Sequence, residues 1–166
     1  MISPFAQEKN DFNIFIKFDD YQEKIVNDSF EYATTGIDAN LLSSGLLEYT
    51  IFDEGYEKTH SLQVKNPSFG PIEVKILYLD AAAKRAFARR NGIFTREYGN
   101  IKLFRDNFRI LPYGEMENDW LGIDNKHAQA VFRSLGTRDI MGYAQITKEN
   151  NPSLKDATNR RGLNED

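Results

Sequence analysis

Large apolar residues alternate with polar ones along much of the first half of the chain. In residues 12–18, FNIFIKF, the apolar side chains occupy positions 12, 14, 16 and 18. A period of two predicts a strand with one buried face. The same reasoning predicts strands over residues 12–18, 30–37, 45–55, 59–65 and 72–80, with residues 38–45 as a turn-rich break.

Two later segments have the composition of helices. Residues 81–91 are rich in Ala, Lys and Arg, with Asp80 and Gly92 at the ends as suitable caps. The apolar stripe of this helix is thin, and its other face carries basic residues. Residues 123–136 predict a second helix, whose apolar positions at helical spacing are Ala128, Val131, Phe132 and Leu135.

The remaining pattern completes an α+β domain. Residues 101–111 predict a hairpin around Asp106 and Asn107, and residues 139–147 predict a strand. Strands, helix, hairpin, helix and strand in this order indicate a mixed, mostly antiparallel sheet with helices packed on one face. A length of 166 residues suits one domain, with residues 148–166 expected to form an extended, mobile C-terminal tail.

Composition narrows the chemistry. The chain is 40% hydrophobic, has 12 Phe and 8 Tyr, and contains no cysteine, so thiolate catalysis and disulfides are excluded. The two histidines, His60 and His127, are far apart, and we predict no metal site. The N-terminal residues lack a secretory signal and no apolar run is long enough to cross a bilayer, so we expect a cytoplasmic protein without membrane contact.

Charge is distributed unevenly. Residues 1–58 hold 4 Lys and Arg against 12 Asp and Glu, whereas residues 84–109 hold 8 against 2. Two interpretations of the basic segment stay open: solvated faces of a helix and a hairpin, or a nucleic-acid-binding surface. The residues of the second interpretation are Lys84, Arg85, Arg89, Arg90, Arg96, Lys102, Arg105 and Arg109.

Catalytic motifs are missing from the sequence. It has no GxxxxGK[ST], no GxGxxG after a strand, no HExxH and no GxSxG. Glu117 and Asp119 lie in a predicted loop just before the single tryptophan, Trp120, and an acid pair beside an aromatic ring suits sugar chemistry. The simpler interpretation is a turn that caps the following helix. A self-contained enzyme of another class would need convergent polar groups that the sequence does not offer.

Several phrases of the second half resemble a known family. They are GIF, NFRILPYGE, NDWLGID, GYAQIT and NPSLKDATNRRGL, within residues 92–163. The stretch resembles the region that follows the ATP-binding domain in bacterial GHKL ATPases, close to the MORC type. GHKL proteins include gyrase B, the ninety-kilodalton heat-shock chaperone, histidine kinases and MutL. The first ninety residues match more loosely.

The resemblance implies a transducer domain with the ribosomal protein S5 domain 2-like fold. Its expected partner is an N-terminal GHKL ATPase domain. A homodimer is a further possibility under this resemblance, and nucleic acid is a further possible partner. ATP and Mg are implied for the longer protein, whereas this chain itself lacks the signature residues and is expected to bind no cofactor and to hydrolyse no ATP. We accordingly expect it to be a portion of a longer polypeptide.

The resemblance also singles out two arginines. In such transducers a basic side chain contacts the γ-phosphate of the nucleotide that the neighbouring domain holds. The phrase ATNRRGL is similar to the motif that carries this side chain, and it places Arg160 on the phosphate-contacting position, with Arg161 as the weaker candidate. A permanent cation there would stabilise charge during phosphoryl transfer.

Overall fold

The computed structural model describes residues 14–18, 21–25, 32–67, 69–129, 135–156 and 163–165. Seven of the described strands form one sheet. In chain order these are β3 Thr35–Leu41, β4 Leu46–Asp53, β5 Tyr56–Gln63, β6 Ile72–Tyr78, β7 Asn100–Arg105, β8 Phe108–Ile110 and β9 Ile140–Ile146. Their order across the sheet is β5-β4-β3-β6-β9-β7-β8.

The pairing of the strands confirms the predicted class, an α+β fold with a mixed, mostly antiparallel sheet. Strands β3, β4 and β5 form an antiparallel meander, and β6 pairs antiparallel with both β3 and β9. The single parallel pair joins β7 to β9. Strand β9 is therefore central, inserted between β6 and the β7–β8 hairpin although it comes after both in the chain.

Most predicted strands are confirmed, with shifted ends. The predicted break over residues 38–45 was too long, because β3 continues to Leu41 and keeps pairing with both of its neighbours. Strand β5 begins at Tyr56, directly after a tight turn in which Glu54 and Gly55 have positive φ. The predicted turn at Asp106 and Asn107 is confirmed, with φ angles of 49° and 69°.

One face of the sheet is covered by helix α1, Ala81–Asn91, and by the short helix α2, Thr95–Tyr98. Helix α1 has the predicted caps, since the Asp80 side chain accepts a hydrogen bond from the Ala83 backbone N–H and Gly92 closes the helix at a φ of 69°. Ala83 and Phe87 pack with Leu77 and Met141 of the sheet. Sequence analysis missed α2, which is only one turn long.

The opposite face carries a second hydrophobic cluster. Ile101, Leu103, Ile140 and Ala144 form its buried part, and Ile123 packs against them. Neighbouring residues of a strand point to opposite faces, so this cluster lies on the other side of the sheet from Leu77 and Met141.

Helix α3, Ile123–Gln129, confirms the start of the second predicted helix. Its first residue, Ile123, packs against the face of the sheet opposite to the one that α1 covers. Val131 and Phe132 lie outside the described residues, and Leu135 is exposed and not helical.

Two small hairpins complete the described chain. Strand β1, Ile14–Phe18, confirms the described part of the strand predicted over residues 12–18, and it pairs antiparallel with β2, Tyr21–Ile25, which was not predicted. Near the other end, β10, Leu154–Asp156, pairs antiparallel with β11, Leu163–Glu165. The segment predicted as an extended tail therefore contains a short hairpin.

Candidate functional site

Three of the eight basic residues predicted for nucleic-acid binding are engaged inside the fold. The side chain of Arg109 is only 6% exposed, and its Nη2 donates to the Tyr113 carbonyl at 3.0 Å and to Glu115 Oε1 at 2.8 Å. Burial lowers the pKa of Arg109, and the charge of Glu115 opposes that effect. Arg105 Nη1 donates to the Leu154 carbonyl at 2.8 Å.

The third internal residue is Lys102. Its ammonium donates to the Tyr98 carbonyl and to the Gly99 carbonyl at 3.4 Å, and it lies 4.1 Å from the centre of the Tyr98 ring. Burial, and then the charge of Arg109, lower the pKa of Lys102 from 10.5 to about 8, against an opposing effect of Glu115. Lys102, Arg105 and Arg109 thus serve packing between elements.

The pKa of Lys102 predicts a pH-dependent stability. Between pH 8 and 10.5 the unfolded chain holds the Lys102 proton and the folded chain has released it, so the free energy of unfolding rises with pH. The full difference is about 3 kcal/mol. Lys102→Met is expected to be more stable than wild type at pH 7 and to lose this rise. Urea unfolding at pH 7 to 9.5 measures the part of this rise that lies below pH 9.5, about 2 kcal/mol. The exposed Lys126→Met is the matched control, which should keep the rise.

Other basic residues converge on a cleft between α1, α2 and the 3-10 turn Thr137–Asp139. This cleft, which we call the basic cleft, has a volume of about 300 Å³ and is lined by Lys84, Arg85, Ala88, Phe94, Thr95, Arg96 and Arg138. Phe94 is 59% exposed, and the Arg96 guanidinium lies 5.1 Å from the centre of its ring.

One acid helps to hold the basic cleft together. Lys84 donates to Asp139, which also accepts a hydrogen bond from the Gly136 backbone N–H at 3.0 Å. Burial alone would raise the pKa of Asp139, but the hydrogen bonds from Lys84 and Gly136 and the charges of Lys84 and Arg138 outweigh it and hold that pKa below its usual range. Lys84 is therefore the paired cation of the basic cleft.

Arg138 is the residue that sequence analysis missed. It lies far along the chain from the basic segment, and only the position of the 3-10 turn beside α1 and α2 brings it into the basic cleft. Arg89 and Arg90 are exposed on α1 but do not line the basic cleft. Of the eight predicted residues, the structure thus brings Lys84, Arg85 and Arg96 together.

The phrases that carry the family resemblance meet on the other face of the sheet. They contribute to an apolar chamber of about 470 Å³, lined by Phe69, Ile72, Val74, Ile76, Ile101, Leu103, Tyr113, Trp120, Leu121, Ala144, Ile146, Asn151 and Leu154. Trp120 Nε1 donates to the Ile101 carbonyl at 2.8 Å, which fixes the loop before α3 against the sheet. The phrases NFRILPYGE, NDWLGID, GYAQIT and NPSL are therefore neighbours in space.

Of the two acidic residues beside Trp120, Asp119 has the simpler of the two predicted roles. Asp119 Oδ1 accepts from the Ile123 backbone N–H at 2.7 Å, and its Oδ2 accepts from Asn125 at 3.1 Å. Asp119 thus caps the first turn of α3 by accepting hydrogen bonds from backbone N–H groups that have no acceptor within the helix. Glu117 is exposed, in a turn with a φ of 72°.

The base of the β10–β11 hairpin is fastened to the sheet at two points. Arg105 of β7 holds the Leu154 carbonyl, as described above. Asn151, only 2% exposed, accepts from the Gly70 N–H at 2.8 Å and donates to the Pro71 carbonyl at 3.1 Å. Arg160 and Arg161 belong to the segment that joins the two strands of this hairpin, and they lie outside the described residues.

Comparisons with protein-family models, with curated proteins and with solved structures find no match for this chain. In the described ranges, no helix combines the length and the hydropathy that crossing a membrane requires. Nor does that part of the chain contain a group of three or more His, Asp or Glu side chains that could hold a metal ion.

Proposed function

We propose that this chain is a non-catalytic transducer module, which couples ATP binding and hydrolysis in a GHKL nucleotide-binding domain to conformational change. The observation that carries the proposal is the β10–β11 hairpin, whose strands bracket the segment with Arg160 and Arg161. Arg160 and Arg161 therefore lie in the chain between two paired strands, and the resemblance assigns to Arg160 a contact with the nucleotide of the partner domain.

The anchoring of the hairpin supports a coupling role. A contact between Arg160 and a γ-phosphate exists only while ATP is bound, so it favours one position of the hairpin over another. Arg105 ties the base of the hairpin to β7, and Asn151 ties it to the segment before β6. Strands β6 and β7 are the two neighbours of β9 in the sheet. A displacement of the hairpin is thereby transmitted to the centre of the sheet.

The proposal assigns the catalytic residues of ATP hydrolysis to the partner domain. The sequence has none of the phosphate-binding motifs, and Asp119 of the acid pair beside Trp120 caps α3. The S5 domain 2-like fold, the cytoplasmic location and the homodimer belong to the same proposal, as do ATP and Mg as ligands of the partner domain.

The isolated chain of 166 residues tests whether ATP hydrolysis depends on residues of the partner domain. We expect no ATP turnover above that of a buffer control, because the chain supplies at most a charge to a phosphate that another domain must bind. Coupled-enzyme detection of ADP release, at saturating ATP and Mg²⁺, measures it. Turnover at a rate typical of an intact ATPase, about 1 per second or faster, would refute the proposal.

A further inference from the structure

The basic cleft has chemistry that the transducer role does not use. Arg85 and Arg138 form no ion pair within the described ranges, unlike Lys84, which is paired with Asp139. Arg96 lies 3.9 Å from Glu97, but both side chains are largely exposed, so that pair is weak. An anion in the basic cleft would therefore meet arginine forks that are free to bind phosphate oxygens.

An exposed aromatic ring lies among these cations. Phe94 exposes 59% of its surface, and burying such a ring against another π system is favourable. Arginine and an aromatic ring side by side are the combination on which nucleic-acid bases stack. A phospholipid headgroup or a phosphoserine would use the arginines but offers no π system to stack beside this ring.

The surroundings of the basic cleft indicate the direction of an extended ligand. Arg96 and Arg138 also border a second cleft that contains Glu115, Glu117 and Asp124, whose charges repel phosphates. On the other side, Arg89 follows Arg85 by one turn of α1 and is exposed. A polyanion is thus favoured along α1 and disfavoured toward the acidic residues.

We propose that the basic cleft binds single-stranded nucleic acid, with one base stacked beside Phe94 and the flanking phosphates on Arg85 and Arg138. An unpaired strand is favoured because a base within a duplex must first be unstacked and unpaired, at a cost in free energy, before it can stack beside the ring. This inference goes beyond the transducer role and does not depend on Arg160.

Fluorescence anisotropy with labelled oligo(dT) and oligo(U) of about 12 nucleotides tests the proposal on the isolated chain. We expect binding at about 50 mM salt that weakens steeply as salt rises. Phe94→Ala should weaken binding about tenfold. Arg85→Gln and Arg138→Gln should each weaken it about fivefold and reduce the salt slope by about one.

The matched control is Lys58→Gln, which removes one exposed positive charge on β5, away from the basic cleft. Circular dichroism of every variant shows whether the fold is retained, as we expect for these exposed positions. Retained affinity in Phe94→Ala, an equal loss in Lys58→Gln, or no binding at low salt would overturn the proposal. So would equally tight binding of AMP or of duplex DNA, because neither requires an unpaired strand.

Discussion

Replacing Gly142 by alanine is expected to destabilise the protein by about 3 to 5 kcal/mol. Gly142 lies in the middle of β9, opposite Ile76 of β6 and Ile101 of β7. A Cβ atom at this position would come within 2.0 Å of the Lys75 carbonyl oxygen. Because that oxygen belongs to a strand backbone in the centre of the sheet, relief requires the two strands to move apart.

The cost is large because β9 holds the two halves of the sheet together. It pairs with β6 on one side and with β7 on the other, and its residues contribute to the clusters on both faces. A wider spacing between β6 and β9 would weaken ladder hydrogen bonds and loosen Met141 and Ala144 together. A loss of about 3 to 5 kcal/mol is a large part of the free energy of unfolding of an ordinary domain, which is about 5 to 15 kcal/mol.

Urea unfolding followed by circular dichroism measures this effect. Gly55→Ala is the matched control, since Gly55 has a φ of 90° but nothing within 4 Å of the added Cβ. It should lose only about 1 kcal/mol, from backbone strain. If Gly142→Ala unfolded at the urea concentration of wild type, the close approach of β6 and β9 would be incorrect.

Local features of the fold could be predicted from the sequence. The alternation of residues 72–78 predicts strand β6, and Asp80 and Gly92 mark the ends of α1, because such signals depend on neighbouring residues alone. The turn at Asp106 and Asn107 follows for the same reason.

The order of the strands in the sheet could not be predicted from the sequence. Strand β9 inserts between β6 and β7, which is a pairing between distant segments that no local pattern specifies. The same limit explains the candidate site. Lys102 and Arg109 are basic residues that the sequence suggests for a surface, but their side chains bond to backbone carbonyls inside the fold. Arg138 joins the basic cleft only through the tertiary fold.

The apolar chamber shows how a resemblance can be structural in origin. Its phrases contain residues whose interactions hold the fold: Arg109 with Glu115, Trp120 with the Ile101 carbonyl, and Asn151 with the Gly70 and Pro71 backbone. Gly114 has a φ of 74° and lies where a Cβ would meet the Ile101 carbonyl at 2.2 Å. These residue types are needed for packing whichever function the hairpin has.

The proposed transducer function predicts the second large effect for Arg160→Ala, on ATP hydrolysis by the longer polypeptide that this proposal implies. An arginine at the γ-phosphate stabilises the charge of the transition state more than that of bound ATP. Its removal should lower kcat about a hundredfold or more, while the Kd for ATP should change less than about threefold.

The most direct test of the transducer role is therefore a side-by-side comparison of Arg160→Ala and Arg161→Ala in that polypeptide, by steady-state ATP turnover and by equilibrium binding of ATP. The two variants remove the same charge from adjacent positions of the sequence. The account predicts a loss of kcat in Arg160→Ala with nearly unchanged ATP binding, and near wild-type turnover in Arg161→Ala. Wild-type turnover in Arg160→Ala would contradict it.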